Sequence, residues 1–460
     1  MSPLDPLELS HYINQLHDPF IDLLRKENQR LSKCITSDHK NGMRIHFREQ
    51  YGTRGEEILY VTPAEQKSIV RVPLRSENKA VIHEKFFLYR LFQQIFLPKG
   101  YPDSVSDDYA AYQIWDTVQA FCSTICGTLC THAILKGLGV GNENINAYSA
   151  TVTWILKEGS GHLGRILFSW WKGAQLDIDS KKWRLRADFL NDLAMGIEIY
   201  VLPKYTHLGT QILCGTTVLK AIVGVAGGAT RAALTQHQAV RGNLADVNSK
   251  DSSQETCVNL IASFVGLYLL TAIKTPGVLY GVFSVVILLH LYANLKAIKS
   301  ICLKTFNESR YLIALEEFFR SGRMLTPQQV NKLERVTLGQ TVSVSLNIRL
   351  GLSIKHLIDE YQQSHIIDNI VSSFDPHEHF IIAESKKFLG VYFHFDTMPQ
   401  DVLKAYFFAV SYLQDRNQIK EKYWEVQSKW QEFYNLAQQE GWLTSQHLLM
   451  VDEYRLNWNA

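Results

Sequence analysis

The chain has 460 residues, 47 Lys and Arg against 45 Asp and Glu, and a formal net charge of +2. With 46% hydrophobic and 20% charged residues it is not a disordered polymer. Its balanced charge lacks the basic excess of a dedicated nucleic-acid binder, so no nucleic-acid partner is predicted.

The first residues, "MSPLDPLELSHYINQLHDPF", have neither a basic n-region nor an apolar h-region, so no secretory signal is expected. The start is acidic and unlike an organelle transit peptide. Residues 1–40 read as a helical segment with Leu16, Phe20, Leu23 and Leu24 on one side. A β-rich segment follows at 41–85, with strand-like runs "MRIHFRE", "EILYVTP" and "SIVRVPL" punctuated by Gly and Pro. "HEKFFLYRLFQQIFLPKGYP" then predicts an aromatic helix stopped by Pro98.

The third segment, 86–303, is a hydrophobic helical core. Residues 117–135, 256–273 and 275–295 carry no formal charge, and 206–228 carries only Lys220. These lengths approach the roughly 20 residues that cross a bilayer. A buried core of a large soluble bundle is the alternative. Thr275-Pro276-Gly277 is turn chemistry and predicts a helical hairpin. Arg231, Arg241 and Lys250 precede the hairpin and Lys296, Lys299 and Lys304 follow it, while only Lys274 marks its tip. The positive-inside rule therefore puts both hairpin ends on the cytosolic side of an intracellular membrane.

Small residues recur at spacing four: Ser123, Gly127 and Thr131, and Gly224 with Gly228. They predict close helix–helix seams. Cys122, Cys126 and Cys130 share one helix face and read as part of such a seam, since no metal-ligand spacing accompanies them. Seven cysteines are too few for a disulfide scaffold.

The last segment, 304–460, turns amphipathic and predicts an α+β domain. "RYLIALEEFFRSGRML" is an amphipathic helix, and Thr326-Pro327 fits an N-cap with Pro at the first helical position. "HFIIAES" and "KFLGVYFHF" predict a β-hairpin. Two helices follow, the second bearing Ile419, Tyr423, Val426, Trp430, Phe433 and Ala437 on one face, with Gly441 as its C-cap. A last strand is expected in "HLLMVDEYRLNW". The fold class is mostly α: a hydrophobic multi-helix core with a C-terminal α+β domain and a short β-rich N-terminal segment.

Motifs add little chemistry. Gly159-Ser160-Gly161-His162-Leu163-Gly164 matches the dinucleotide fingerprint, with Asp179 about 20 residues on. No alternating strand–helix series surrounds it, so a glycine break between two helices is expected. Asp375, His377, Glu378 and His379 cluster, but no third or fourth ligand is spaced for zinc. Catalytic and metal-binding residues are not predicted, nor is a cofactor.

The polar and ionic residues inside the hydrophobic segment, expected to be buried, are the candidate site: Arg165, Lys172, Asp188, Asn191, Asp192, Lys220 and Arg231. Charge in an apolar bundle is expensive and pairs or lines a polar cavity. Asp188 and Asp192 share a helix face and are expected opposite a base such as Arg165 or Lys172.

Three long blocks carry a resemblance: "FLPKGYPDSVSDDYAAYQIWDTVQAF", "GVGNENINAYSATVTWILKEGSGHLGRILFSWWKG" and "VGVAGGATRAALTQHQAVRGNLADVNSKDSSQETCVNL". They resemble the root UV-B sensitive family, in its animal branch, over about Phe96 to Asn307. The resemblance implies membrane association, pairing with a paralogue or with a second copy, and a link to seedling development, light and UV-B sensitivity, auxin distribution and vitamin B6 homeostasis. It transfers no catalytic residue. The plastid location of plant members is not carried over. The expected function is a membrane-associated, non-enzymatic adaptor or transporter-like protein, with the lipid bilayer as one partner. A pyridoxal-phosphate-binding protein or enzyme and a soluble helical scaffold are the alternatives.

Overall fold

The computed structural model describes residues 44–50, 57–62, 69–73, 91–137, 147–337, 347–362, 370, 378–414 and 419–458. The helix expected before residue 41, Asp375 and His377 lie outside them. The chain divides into two compact units, Met1–Phe92 and Gln93–Ala460. In the first, β1 (Arg44–Gln50), β2 (Glu57–Thr62) and β3 (Val70–Pro73) form an antiparallel meander in that order. Leu59 and Val61 are buried two residues apart, as one face of a pleated strand requires.

The second unit opens with six helices: α1 (Tyr109–Gly137), α2 (Ala147–Lys172), α3 (Ser180–Gly196), α4 (Gly209–Gln238), α5 (Leu244–Ala272) and α6 (Pro276–Ser300). A π-turn, Ile197–Val201, extends α3. Four stretches, Tyr109–Lys136, Thr206–Gln238, Leu244–Ala272 and Pro276–Ser300, are long and apolar enough to cross a membrane by length and composition. Pro276 starts α6, where its missing N–H costs nothing. Both arms of this hairpin pack along α1. Ile125, Cys126, Leu129 and Cys130 of α1 are buried with Met195 and Ile199, Ala262 of α5 and Phe283 of α6.

The glycine motif does not break a helix. α2 runs unbroken through Gly159, Gly161 and Gly164. A Cβ at Gly161 would come within 2.9 Å of Thr217, and one at Gly164 within 3.0 Å of Val218. Helix α2 thus lies parallel to α4 at close range, with Thr153 facing Thr210 and Ser160 donating to the Cys214 carbonyl. The close approach compensates a propensity loss of about 1 kcal/mol per glycine. The α1–α5 seam is made at Gly266, where a Cβ would meet Thr128 at 2.9 Å. Gly127, Gly224 and Gly228, the glycines expected at seams, face open space.

The C-terminal domain begins at β4 (Thr305–Asn307), followed by α7 (Glu308–Ser321) and α8 (Pro327–Leu333). Thr326 and Gln329 cap α8 reciprocally, and Pro327 occupies its first turn. β5 (Ile348–Leu350) and α9 (Lys355–Tyr361) lead to the hairpin β6 (Phe380–Glu384) and β7 (Leu389–Phe393). The sheet order is β5-β7-β6, with β5 parallel to β7 and the hairpin antiparallel. Helix α10 (Pro399–Gln414) is followed by α11 (Ile419–Gln439), whose end is closed by Gly441 with a φ of 86°. The last strand, β8 (Leu443–Leu448), starts earlier than expected because it pairs in parallel with the distant β4. Phe306, Tyr311, Phe318, Phe407, Phe433 and Trp442 fill the core, and Phe306 stacks on Trp442 at 4.1 Å between centroids.

Candidate functional site

Polar residues of α1 recur at helical spacing, the adjacent pair Tyr112 and Gln113 being followed by Asp116 and Gln119 at intervals of three. That spacing puts them on one face, turned toward α3, α5 and α6. Helix α3 answers with Arg184, Asp188 and Asp192 at spacing four. Arg184 Nη2 lies 3.2 Å from Asp116, which also accepts from the Tyr112 hydroxyl at 3.2 Å. Arg184 Nε stands 3.7 Å from Asp188 Oδ2. One turn on, Asp192 Oδ2 lies 2.9 Å from His290 Nδ1, and the other ring nitrogen is 2.9 Å from the Gln119 amide. His290 is fully buried on α6.

A second cluster extends the seam into α4 and α5. Arg231 donates to Asp251 through Nε at 2.9 Å and Nη2 at 2.6 Å, and pairs with Glu255 at 2.6 Å. Gln113 donates to the other Asp251 oxygen at 3.0 Å. Lys220 of α4 meets buried Glu198 of the π-turn at 2.5 Å.

A third cluster joins the core to the C-terminal domain. Buried Glu334 accepts from Lys181 at 3.0 Å and Arg310 at 2.9 Å. Lys181 also donates to Asn331, and Arg310 Nε to the Thr305 carbonyl at 2.7 Å. Burial pushes the Lys181 ammonium below its usual range, only partly offset by Glu334. Burial alone would raise the Glu334 carboxyl, but Arg310 and Lys181 outweigh it and hold it below the usual carboxylate range.

The expected pairing of Asp188 and Asp192 with Arg165 or Lys172 is corrected. Arg165 is exposed on α2, and Lys172 bonds Gln175 at 2.8 Å beside the Trp171 ring. Helix α2 packs mainly along α4 and meets α3 through Phe168, whose ring lies 5.6 Å edge-on to Trp183, while the carboxylates take Arg184 and His290 as their partners. Asp188 and Asp192 are buried, Asn191 is half-buried beside them, and Lys220 and Arg231 pair as described. Reasoning from runs of charge missed Asp116, Arg184, Asp251 and His290. Arg184 stands four residues before Asp188 on the same face, a signal that was available. His290 hid inside a run counted as uncharged. Among the described residues no group of three or more His, Cys, Asp or Glu is placed to hold a metal ion. Glu378 meets Lys404 and Tyr423, and His379 meets Asp401 at 3.0 Å.

A family model described as "Vitamin B6 photo-protection and homoeostasis domain" matches residues 83–322, which hold the whole seam. A second, "Root UVB sensitive protein, C-terminal", matches 323–425, so the Lys181–Glu334–Arg310 cluster bridges the two. The chain is 41% identical over 285 residues to "RUS family member 1" of Dictyostelium discoideum, covering 61% of this chain and 54% of that protein. It is 31% identical over 383 residues to "Protein root UVB sensitive 3" of Arabidopsis thaliana, covering 81% and 87% respectively. "Protein root UVB sensitive 2, chloroplastic" of the same plant is 25% identical over 78% of this chain and 83% of its own length. No solved structure matches the chain. Both halves of the molecule, the helical core and the domain clamped to it, place the chain in the root UVB sensitive family.

Proposed function

We propose that this protein is an integral protein of an intracellular membrane, acting without chemistry of its own as an adaptor or transporter-like module. One observation carries this reading: the helical core is apolar outside and ionic inside. Leu260, Phe264, Leu267 and Tyr268 of α5 and Val285 and Leu288 of α6 are exposed, while the Asp116–Arg184–Asp188 and Asp192–His290 groups are enclosed. A water-soluble monomer rarely exposes so much contiguous apolar surface. Charge enclosed by apolar helices marks ion or substrate paths in membrane proteins.

On this reading both ends of the 256–295 hairpin face the cytosol, following the Lys and Arg that flank it. Helix α2 mixes exposed Trp154, Ile155 and Trp170 with exposed Glu158, His162 and Arg165. Lipid suits the first group and not the second, so the reading assigns that face to a protein neighbour, a paralogue or a second copy. Alkaline carbonate extraction of cell membranes, with protease mapping of both termini, tests the proposal. Retention in the pellet is expected, and release of the full-length chain into the supernatant overturns it. A second reading, a pyridoxal-phosphate-binding protein, draws on the printed name of the matched domain. Absorbance of the purified protein in the pyridoxal band would favour it.

A further inference from the structure

The central cluster does not balance its own charge. Asp116, Asp188 and Asp192 supply three carboxylates, and Arg184 is the one guanidinium among them. Even with His290 protonated by its contact with Asp192, one negative charge remains on the Asp116–Asp188 pair. Neighbouring groups do not cancel it. Arg231 of α4 is occupied by Asp251 and Glu255 of α5. Tyr112, Cys122 and Cys126 of α1 bring no positive charge.

The hydrogen bonding shows the same deficit. Asp188 Oδ2 and Asp192 Oδ1 are enclosed and accept no hydrogen bond, and Asn294 Nδ2 on α6 donates none. Asp188, Asp192 and Asn294 are 9%, 6% and 2% exposed. Helices α3 and α6 run antiparallel, since Asp192 meets His290 while Tyr200 reaches Tyr280. That register sets Asn294 beside the turn that carries Asp188. Two carboxylates sharing one enclosed cation cannot both stay ionised at low cost.

We infer that the Asp116–Arg184–Asp188 group is a proton-binding site, holding one proton shared between the two carboxyl groups at neutral pH. The inference deepens the transporter-like reading by naming the ion the seam takes. The site's existence does not depend on a bilayer.

Infrared spectroscopy of the full-length protein in detergent tests it, because a protonated carboxyl has a carbonyl band that a carboxylate lacks. A Glu308→Gln background removes a buried carboxyl of the C-terminal domain that burial also pushes upward. The band should be present at neutral pH. It should fall by one carboxyl equivalent in either Asp116→Asn or Asp188→Asn, where Arg184 then faces a single carboxylate, and persist in Asp192→Asn. Absence of the band in the parent, or its survival in both carboxamide variants, overturns the inference. If neither variant folds, the parent spectrum decides. Release by carbonate with the band intact would sink the membrane reading and leave the proton site standing.

Discussion

The helical core and the C-terminal domain solve the same packing problem with opposite materials. The domain fills its interior with rings: Phe433 lies within 5.2–6.3 Å of Phe306, Tyr311, Phe318, Phe407 and Trp430, and Tyr311 donates to the Leu403 carbonyl at 2.8 Å. Its α7 is amphipathic, and its apolar face turns inward. The core instead turns large apolar side chains outward and joins helices through glycine contacts and enclosed ions. Water makes aromatic burial pay in the domain. In the proposed bilayer the core's surroundings would be as apolar as its side chains, leaving close backbone approach and polar pairing as the specific forces.

The largest test sets one region against the other. Arg184→Ala leaves Asp116 and Asp188 without their cation and should cost about 3–5 kcal/mol. Phe433→Ala opens a cavity and should cost a similar 3–5 kcal/mol. The two losses differ in their remedy. Adding Asp116→Asn and Asp188→Asn should recover part of the first, whereas no charge removal should recover the second. Denaturant melts of the purified variants measure this, and equal rescue in both would erase the contrast.

The junction between the regions should respond to acid. Glu334 has a depressed folded pKa, so its contribution is complete above the unfolded value of about 4.3 and is lost as pH falls through the folded one. Glu334→Gln removes charged acceptance from Lys181 and Arg310 and should cost about 1.5–3 kcal/mol at neutral pH. The variant's stability should then change less than the parent's below about pH 4.3. Melts across that range, read by tryptophan fluorescence, check the prediction. A steeper acid loss in the variant would show that Glu334 is not the group responsible.

Smaller effects separate true seams from lookalikes. Gly161→Val and Gly266→Val should each cost about 1–3 kcal/mol by overpacking. Gly224→Val meets open space and should stay within about 0.5 kcal/mol. Thermal shifts in detergent would rank them.

Local signals were well legible. The uncharged runs with Pro276 between them located α5 and α6, and Thr326-Pro327 located the start of α8. The aromatic spacing of α11 gave its buried face, including Trp430, Phe433 and Ala437. Long-range choices were not legible. Nothing near Asp192 in the chain indicates His290, 98 residues away. A G-x-G-x-x-G run looks like a break until Thr217 and Val218 are seen to fill the space a Cβ would take. The start of β8 likewise depends on β4, far back in the chain.

The placement of α1 between partners made much later has a consequence for biosynthesis. Gln113 waits for Asp251, 138 residues on, and Gln119 waits for His290, 171 residues on. At about 5–20 residues per second a ribosome needs roughly ten to thirty seconds to supply them. During that interval the nascent α1 carries an uncapped row of amides and a carboxylate on one side. The chain therefore has a built-in dwell in which that row is without its partners, and slowing elongation before residue 290 should lengthen it in proportion.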